Sequence, residues 1–207
     1  MAFPARYAIL LDGEFVKKVL EGQQRRFPTK DNVLGEVQRI SAVEPLAALE
    51  LYRIFYYTAE PLSGTATHPI GGTTFNFGAT PEYSRNKSLI DQLENQPNSA
   101  VRRGALAHQG WEIGRAALRA LTAGEKTTVE ANDVRPKIQQ KGVDMRIGLD
   151  IASMAFKRLV SAIVLVSGDS DLVPALKLAR REGLKVYLDT MGRRVRPELA
   201  IHCDVLI

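Results

Sequence analysis

Four aspartates stand where a structural element of this 207-residue chain is expected to begin or end. Asp12 closes the apolar run RYAILL, and Asp169 and Asp171 follow the apolar run SAIVLVSG. Asp144 lies at the start of a helical pattern, directly after a turn-like Lys-Gly-Val sequence. In a parallel sheet the carboxyl ends of the strands share one edge, and ligands usually bind there. We therefore expect the four carboxylates to converge on one crevice.

A cluster of acids of this kind has a specific chemical use. Like charges raise one another's pKa and destabilise the fold unless a cation compensates them. The cluster includes no histidine or cysteine, and carboxylate oxygens alone favour Mg²⁺ or Mn²⁺ over zinc. A divalent ion held there can activate a water and neutralise a phosphate during in-line displacement. The predicted catalytic metal ligands are Asp12, Asp144, Asp169 and Asp171.

Three more polar side chains are expected beside this cluster. Asp150 follows Asp144 by six residues, so it points about 120° away around the helix and should lie behind the ligands or on the rim. Ser167 and Ser170 can donate hydrogen bonds to a phosphate or to a metal-bound water. For both serines, a role in the turn is an equally good explanation.

Each aspartate also has a purely structural explanation. Asp12 precedes a glycine, as turn residues often do, and Asp144 could be a helix N-cap. Asp169 and Asp171 could form a turn and cap for the following helix. Taken singly, these explanations are as good as the catalytic ones. The shared position of the acids at strand ends is what favours a functional site.

Other catalytic chemistries have less support in the sequence. His68, His108 and His202 lie in weak contexts, and no G-x-S-x-G, P-loop or G-x-G-x-x-G sequence occurs. The single cysteine, Cys203, has no partner for an internal disulfide or a structural zinc site. We interpret it as a small core residue.

The charge balance favours a polyanionic partner. The formal net charge is +5, and phosphate contacts supply much of the affinity of proteins for nucleic acids. Solvated surfaces on basic helices explain the same charges equally well. The excess lies in short pairs, which are Lys17-Lys18, Arg25-Arg26, Arg102-Arg103, Lys157-Arg158, Arg180-Arg181 and Arg193-Arg194.

Hydrophobic periodicity predicts strands that alternate with helices, and hence an α/β fold with a parallel sheet. Pro174 suits the first turn of a helix, and Gly183 suits a left-handed C-cap. Residues 101–114 should form one or two strands, and the region from there to 140 is irregular or mixed. The predicted strands are 6–11, 51–57, 161–168 and 185–189. The predicted helices are 14–27, 41–50 capped by Ser41, 88–95, 143–160 and 171–183.

Composition suits one folded domain over residues 1–207. Apolar residues make up 45% and charged residues 25%, as in typical globular proteins. A segment rich in Gly, Thr, Pro, Ser and Asn predicts a loop-rich insertion at about 61–100. The start of the chain, MAFPARYAILLDGEF, lacks the apolar stretch of a signal peptide or membrane span. We expect a cytoplasmic protein without membrane contact, and formation of a homo-oligomer stays open.

The chain resembles a known family over residues 141–188. This stretch contains K-G-V-D, a second aspartate within the helix, S-G-D-S-D and a helix ending in R-x-x-G. In these features it is similar to the NYN domain, a bacterial group related to PIN nucleases. The opening ILLDGEF resembles the first strand of the family with its acidic residue.

The resemblance implies a fold and an activity. The fold is a PIN-like three-layer α/β/α sandwich with a central, mainly parallel sheet, and the activity is RNA cleavage with Mg²⁺ or Mn²⁺. The aspartates carried over as metal ligands are Asp12, Asp144, Asp169 and Asp171, while Asp150 matches the second helical aspartate. One position departs from the family. Where D-x-x-N is common, this chain has Phe15, so a side-chain amide near the site is missing.

Three functions follow from these features. The first is an endoribonuclease acting on single-stranded or loop RNA, in which Arg102, Arg103, Arg193 and Arg194 contact phosphates. The second is a non-catalytic RNA-binding or regulatory module, which Phe15 favours. The third is a phosphatase or a DNA-directed nuclease, because the same metal chemistry serves other phosphoesters.

Overall fold

The computed structural model describes residues 5–207. Residues 1–4 belong to the segment in which we expect no signal peptide, and they lie outside the described residues. Within residues 5–207, no helix is both long and apolar enough to span a membrane. The strands are β1 (Arg6–Asp12), β2 (Glu50–Glu60), β3 (Thr65–Thr67), β4 (Thr74–Asn76), β5 (Ser99–Ile113), β6 (Val134–Lys141), β7 (Ala162–Val166), β8 (Lys185–Asp189) and β9 (Val205–Leu206). The helices are α1 (Gly13–Gln24), α2 (Lys30–Ser41), α3 (Pro81–Glu94), α4 (Arg115–Thr122), α5 (Val143–Phe156), α6 (Val173–Arg181) and α7 (Pro197–Ala200).

A seven-stranded sheet in the order β6-β5-β2-β1-β7-β8-β9 forms the centre of the described residues. Its neighbouring strands are parallel except for β5 and β6, which are antiparallel. The strands β1 and β7 lie side by side, with Leu11 in register with Val166. The expectation that these two strand ends share one edge of a parallel sheet is confirmed.

Helices cover both faces of the sheet, so the predicted three-layer α/β/α sandwich is confirmed. On one face, a buried cluster joins Ile9 of β1 to residues of α1, α2 and α3. On the other face, Leu10 of β1 packs in a cluster with residues of α5 and α6. Successive residues of β1 thus point into opposite cores. This explains why its sequence is a continuous apolar run rather than an alternating one.

One predicted helix is wrong. Residues 41–50 form no α-helix, and Ser41 is instead the last residue of α2, where its hydroxyl donates to the carbonyl oxygen of Val37. Only a short 3₁₀ turn follows, at Leu46–Ala48. Pro45 lacks the N–H that a helix interior requires. The true helix α2 begins after Thr29, whose side chain takes part in a capping box with Asn32.

The region expected to be loop-rich contains regular structure. The small hairpin β3–β4 leads into α3, whose Leu89 and Leu93 are buried in the core. The strand β5 then continues beyond the last residue that pairs with β2, Ala105, and only β6 accompanies it from there. The part of the chain between β2 and α3 is called the crossing segment (61–80) below.

Candidate active site at the carboxyl edge of the sheet

The side chain of Asp12 is fixed at the junction of β1 and α1. It caps α1, because its Oδ1 accepts a hydrogen bond of 3.2 Å from the backbone N–H of Phe15. Its Oδ2 accepts a hydrogen bond of 2.9 Å from the hydroxyl of Ser167, which directly follows β7. Asp12 is only 9% exposed. The helix-capping role and the position in the crevice therefore belong to the same carboxylate.

Ser167 also organises the turn that carries the next two acids. Its hydroxyl oxygen accepts a hydrogen bond of 3.1 Å from the backbone N–H of Asp169. Asp169 in turn caps a short 3₁₀ helix by accepting a hydrogen bond of 2.9 Å from the N–H of Asp171. The turn and cap roles considered for these residues are real. They leave Asp171 exposed and Asp169 partly exposed at the carboxyl edge of the sheet.

Asp144 reaches the same region from the other side of the crevice. It lies in the first turn of α5, but Gly142 is the N-cap residue, so the capping explanation for Asp144 is not needed. Desolvation and repulsion from Asp169 and Asp171 raise the pKa of Asp144. The family's K-G-V-D sequence thus places a left-handed glycine, with φ of 73°, directly before the helix that presents the acid.

The acids interact electrostatically across the sheet. Burial raises the pKa of Asp12, as does repulsion from Asp144 and Asp169, whereas its hydrogen bonds from Phe15 and Ser167 act in the opposite direction. Within residues 5–207, however, no three acidic, histidine or cysteine side chains are gathered closely enough to hold an ion. The structure shows an acidic crevice in which the carboxylates repel one another but do not converge on a single point.

Asp150 is bound by side chains of β2 and β5. Its Oδ2 accepts hydrogen bonds from the Arg102 Nε at 2.8 Å and from the Tyr57 hydroxyl at 3.1 Å. The Arg102 guanidinium also lies over the ring of Phe55, 5.2 Å from its centre. Asp150 is therefore paired with Arg102, and its expected place behind the ligands or on the rim stays a prediction.

The two predicted phosphate-binding pairs differ in their surroundings. Arg102 is bound to Asp150, and Arg103 forms ion pairs with Glu94 at 2.6 Å and with Glu60 at 3.3 Å. By contrast, Arg193 and Arg194 are exposed in the loop between β8 and α7. The first pair is engaged with carboxylates of the chain itself, and the second is accessible to a ligand.

The loop that contains Arg193 and Arg194 lies beside the acidic turn. Arg194 and Ser170 line one open depression, and a nearby arginine, Arg196, donates a hydrogen bond of 3.1 Å to the Ser170 hydroxyl. Ser170 thus connects the acidic turn to a basic loop. Sequence reasoning did not single out Arg196, although it stands two residues after the Arg193-Arg194 pair.

Phe15 covers the glycine of the S-G-D-S-D turn. A side chain at Gly168 would place its Cβ 3.0 Å from the ring of Phe15, so the close contact depends on glycine. Phe15 also packs, partly buried, against the core on the α1 face. The residue that replaces the family's asparagine is therefore a packing group beside the crevice.

A further acid at the sheet edge was missed by sequence reasoning. Asp189 ends β8 and is 1% exposed. Its carboxylate forms an ion pair with Arg39 of α2 and accepts a hydrogen bond of 2.7 Å from the backbone N–H of Met191. Because Arg39 compensates it, Asp189 has a structural role and does not add to the charge of the crevice.

Comparison with known proteins identifies the family. A family model described as the NYN domain matches residues 76–206, which is more than half of the chain. The chain belongs to the NYN domain family, which is a PIN-like nuclease family. The match includes Asp144, Asp150, Asp169 and Asp171, whereas Asp12 precedes it.

Two individual proteins are similar to this chain. The uncharacterized protein y4oD of Sinorhizobium fredii is 31% identical over an alignment of 75 residues that covers 33% of this chain. The chain spans about a third of the length of that relative, 35%. A crystal structure of a protein of unknown function from Vibrio parahaemolyticus has a TM-score of 0.53 at 14% identity, covering 100% of this chain and 94% of the other. This likeness shows the fold.

Proposed function

We propose that the protein is a metal-dependent endoribonuclease that binds Mg²⁺ or Mn²⁺ in the acidic crevice. NYN domains are generally nucleases, and PIN-like nucleases typically use divalent metals. The observation that carries the proposal is that acids from separate elements meet at one edge of the sheet, where burial first, and then repulsion from neighbouring acids, raise the pKa of both Asp12 and Asp144. A folded protein that holds such acids together gains stability when a cation compensates them.

The residues of the crevice fit a hard divalent ion by their chemistry. All four proposed ligands are carboxylates, the donors that Mg²⁺ and Mn²⁺ prefer. Asp12 is fixed by Phe15 and Ser167, whereas Asp144 and Asp171 are exposed. Binding then requires the exposed side chains to turn toward Asp12. A bound ion supplies charge neutralisation on the phosphate and an activated water.

The chain's own residues position the substrate in this proposal. Ser167 holds Asp12 in a single orientation, and this buried acid lies at the bottom of the crevice. Arg193 and Arg194 bind phosphates that flank the cleaved bond, since both are exposed and Arg194 lines the depression beside Ser170. RNA that is single-stranded or looped fits an open crevice of this kind, because its backbone can bend into it.

A second function is favoured by one observation. Phe15 stands where the family commonly has an asparagine, and it fills its place by packing against Gly168. The replacement of asparagine by phenylalanine favours an RNA-binding regulatory module in which cleavage is weak or absent. The two functions differ in whether the acids are needed for an observable reaction.

Incubation of the purified protein with end-labelled single-stranded RNA distinguishes the nuclease from the regulatory module. The reaction is run with Mn²⁺, with Mg²⁺ and with EDTA, beside an Asp169→Asn variant prepared in the same way. We expect cleavage that needs the metal and is lost in the variant. Binding of the RNA without metal-dependent cleavage contradicts the nuclease proposal and favours the regulatory module. A DNA strand of the same sequence tests the preference for RNA.

A further inference from the structure

A small cavity opens beside the acidic crevice, at the same edge of the sheet. Thr58 lines it and directly follows Tyr57, the register partner of Asp12. Glu14, two residues after Asp12, lines it from α1. The crossing segment, the start of α3 and the free part of the β5–β6 hairpin supply the other walls. The cavity therefore lies at the same edge of the sheet as Asp12, although none of the four proposed ligands lines it.

The cavity is small, and apolar side chains form part of its walls. Its volume is about 120 Å³, well below the roughly 300–1,000 Å³ of pockets that hold drug-sized ligands. Phe77 forms one wall and is 6% exposed. Ring contacts with Phe75 at 5.0 Å and with His108 at 5.2 Å hold it in place. Leu106 and Ile138 of the β5–β6 hairpin also line the cavity. A space of this size beside these apolar side chains suits one planar ring system.

Lys17, the one cation among the described residues of the lining, is already paired, and the lining also includes Glu14 and Glu82. The Lys17 ammonium is 2.9 Å from Glu14 Oε2 and donates a hydrogen bond of 3.1 Å to the side-chain oxygen of Asn86. A phosphate site would offer uncompensated cations, which the exposed Arg193 and Arg194 offer elsewhere. The cavity is therefore better matched to a neutral group than to a phosphate.

One polar side chain in the wall is available to a ligand. The side-chain amide of Gln140 makes no hydrogen bond within residues 5–207, and Gln140 is partly buried in the wall formed by β6. An amide offers one acceptor and two donor hydrogens, as needed to match the edge of a nucleobase. Unstacked bases of single-stranded RNA are recognised by aromatic side chains together with such edge contacts.

We propose that this cavity binds one unstacked nucleobase of the RNA, next to the phosphodiester in the acidic crevice. Phe77 and Leu106 supply the apolar surface for the ring, and Gln140 contacts its hydrogen-bonding edge. Base preference then arises from the crossing segment and the β5–β6 hairpin rather than from the acids. This inference rests on the proposed function, because it names the part of the substrate that lies beside the cleaved bond.

The test uses nucleotides in the absence of metal, so that cleavage has no part in it. The purified chain in EDTA is titrated with AMP, GMP, CMP and UMP, and with ribose 5-phosphate, and binding is followed by NMR chemical shifts. We expect at least one nucleotide to bind fivefold or more tightly than ribose 5-phosphate and to shift resonances of β6 and the crossing segment. Equal binding of the sugar phosphate and all four nucleotides overturns the proposal.

Two variants make the test specific. Gln140→Ala should weaken binding of the preferred nucleotide at least threefold. Gln139→Ala, at the neighbouring exposed position whose side chain points to the other face of β6, should leave it unchanged. Leu106→Trp should fill the cavity and abolish binding, with circular dichroism as the check on folding. Wild-type affinity in a folded Gln140→Ala protein overturns the assignment of Gln140.

The outcome is separable from that of the nuclease proposal. If wild-type and Gln140→Ala proteins cut RNA at the same sites and rates, the base pocket is wrong while the nuclease stands. If nucleotides bind as expected but no metal-dependent cleavage occurs, the pocket stands and the nuclease proposal is wrong.

Discussion

The hydroxyl of Ser167 joins the ends of two neighbouring strands by donating a hydrogen bond of 2.9 Å to the Asp12 carboxylate. The same oxygen accepts a hydrogen bond from the backbone N–H of Asp169. A single buried serine thus links the first of the four proposed ligands to the turn that carries the last two of them. This contact orients Asp12 without neutralising it.

Ser167→Ala should destabilise the protein and weaken its response to metal. The variant leaves a buried carboxylate oxygen and a backbone N–H without a partner, at a cost of about 1–3 kcal/mol. For a protein of this size, each kcal/mol lowers Tm by roughly 2–4 °C. Loss of this hydrogen bond also removes a contact that lowers the pKa of Asp12, so that pKa should rise further.

Ser161→Ala is the matched control for that experiment. Ser161 bonds the carbonyl oxygen of Arg6 at 3.0 Å, at the opposite end of the same two strands. The Ser161→Ala protein should lose some stability but keep the full gain in Tm on addition of Mn²⁺. Equal metal responses in the two serine variants would show that Ser167 has no special part in the crevice.

Asp144→Asn should stabilise the metal-free protein at neutral pH. The raised pKa of Asp144 means that ionisation costs the folded state free energy. That cost is fully present above the raised pKa and is lost as the pH falls through it toward about 3.9, the value of an unfolded aspartate. The variant's advantage in Tm in EDTA should therefore shrink as the pH is lowered from 7 to about 4.

The size of this effect is limited by solvent. Because Asp144 is exposed, we expect an advantage of less than about 1 kcal/mol. Thermal unfolding in EDTA across the pH series measures it, and the same series with Mn²⁺ should reverse the order of the two proteins. If Asp144→Asn is less stable than wild type at pH 7 without metal, the result contradicts the repulsion of Asp144 by Asp169 and Asp171 that supports the metal site.

Replacing Arg193 and Arg194 by alanine should weaken RNA binding and its salt dependence. Two lost phosphate contacts on a single strand reduce the slope of log K against log salt by about 1.4. Filter binding over a salt series, with metal absent, measures that slope. An unchanged slope would mean that these exposed arginines do not touch the RNA backbone.

Replacing Arg102 and Arg103 by alanine should act mainly on stability. Arg102 is bound to Asp150, and Arg103 is bound to Glu60 and Glu94. Loss of these ion pairs should lower Tm while the salt slope of RNA binding stays near the wild-type value. A fall in slope equal to that of the Arg193 and Arg194 variant would instead assign phosphate contacts to both pairs.

Phe15→Asn should increase cleavage while lowering stability. The change introduces the amide that the resemblance to the family implies at this position, and it removes a ring that packs against Gly168. For a partly buried phenylalanine we expect a loss of about 1–3 kcal/mol. Phe15→Leu serves as the control because it shrinks the side chain without adding an amide. Equal cleavage rates in the two variants contradict a role for the amide.

The elements that bear the acids are predictable from the sequence because their signals are local. The apolar runs that end at Leu11 and Val166 are long enough to identify buried parallel strands, and Pro174 and Gly183 mark the ends of α6 as expected. Because parallel strands share one carboxyl edge, acids that follow such strands are expected at the same edge of the sheet. The sequence pattern alone therefore places the acids at the correct edge of the sheet.

Other features depend on contacts between distant residues, and sequence patterns do not show these. The hydrogen bond from Ser167 to Asp12 spans 155 positions of the chain. The ion pair of Asp189 with Arg39 spans 150 positions, so nothing near Asp189 reveals that this acid is compensated. The apolar spacing of residues 41–50 suits a helix, but the helix of this region is α2, which begins after the capping box at Thr29 and ends at Ser41.

The most direct test of the central claim compares two aspartate variants in one cleavage assay. Asp144→Asn removes a proposed metal ligand, and Asp31→Asn removes an exposed aspartate of α2, whose side chain is 82% exposed. Each protein is incubated with labelled single-stranded RNA in Mn²⁺, and RNA binding is measured separately in EDTA. We predict that Asp144→Asn loses cleavage by at least a hundredfold but binds RNA as well as wild type, while Asp31→Asn retains both activities. Undiminished, Mn²⁺-dependent cleavage by Asp144→Asn would contradict the account.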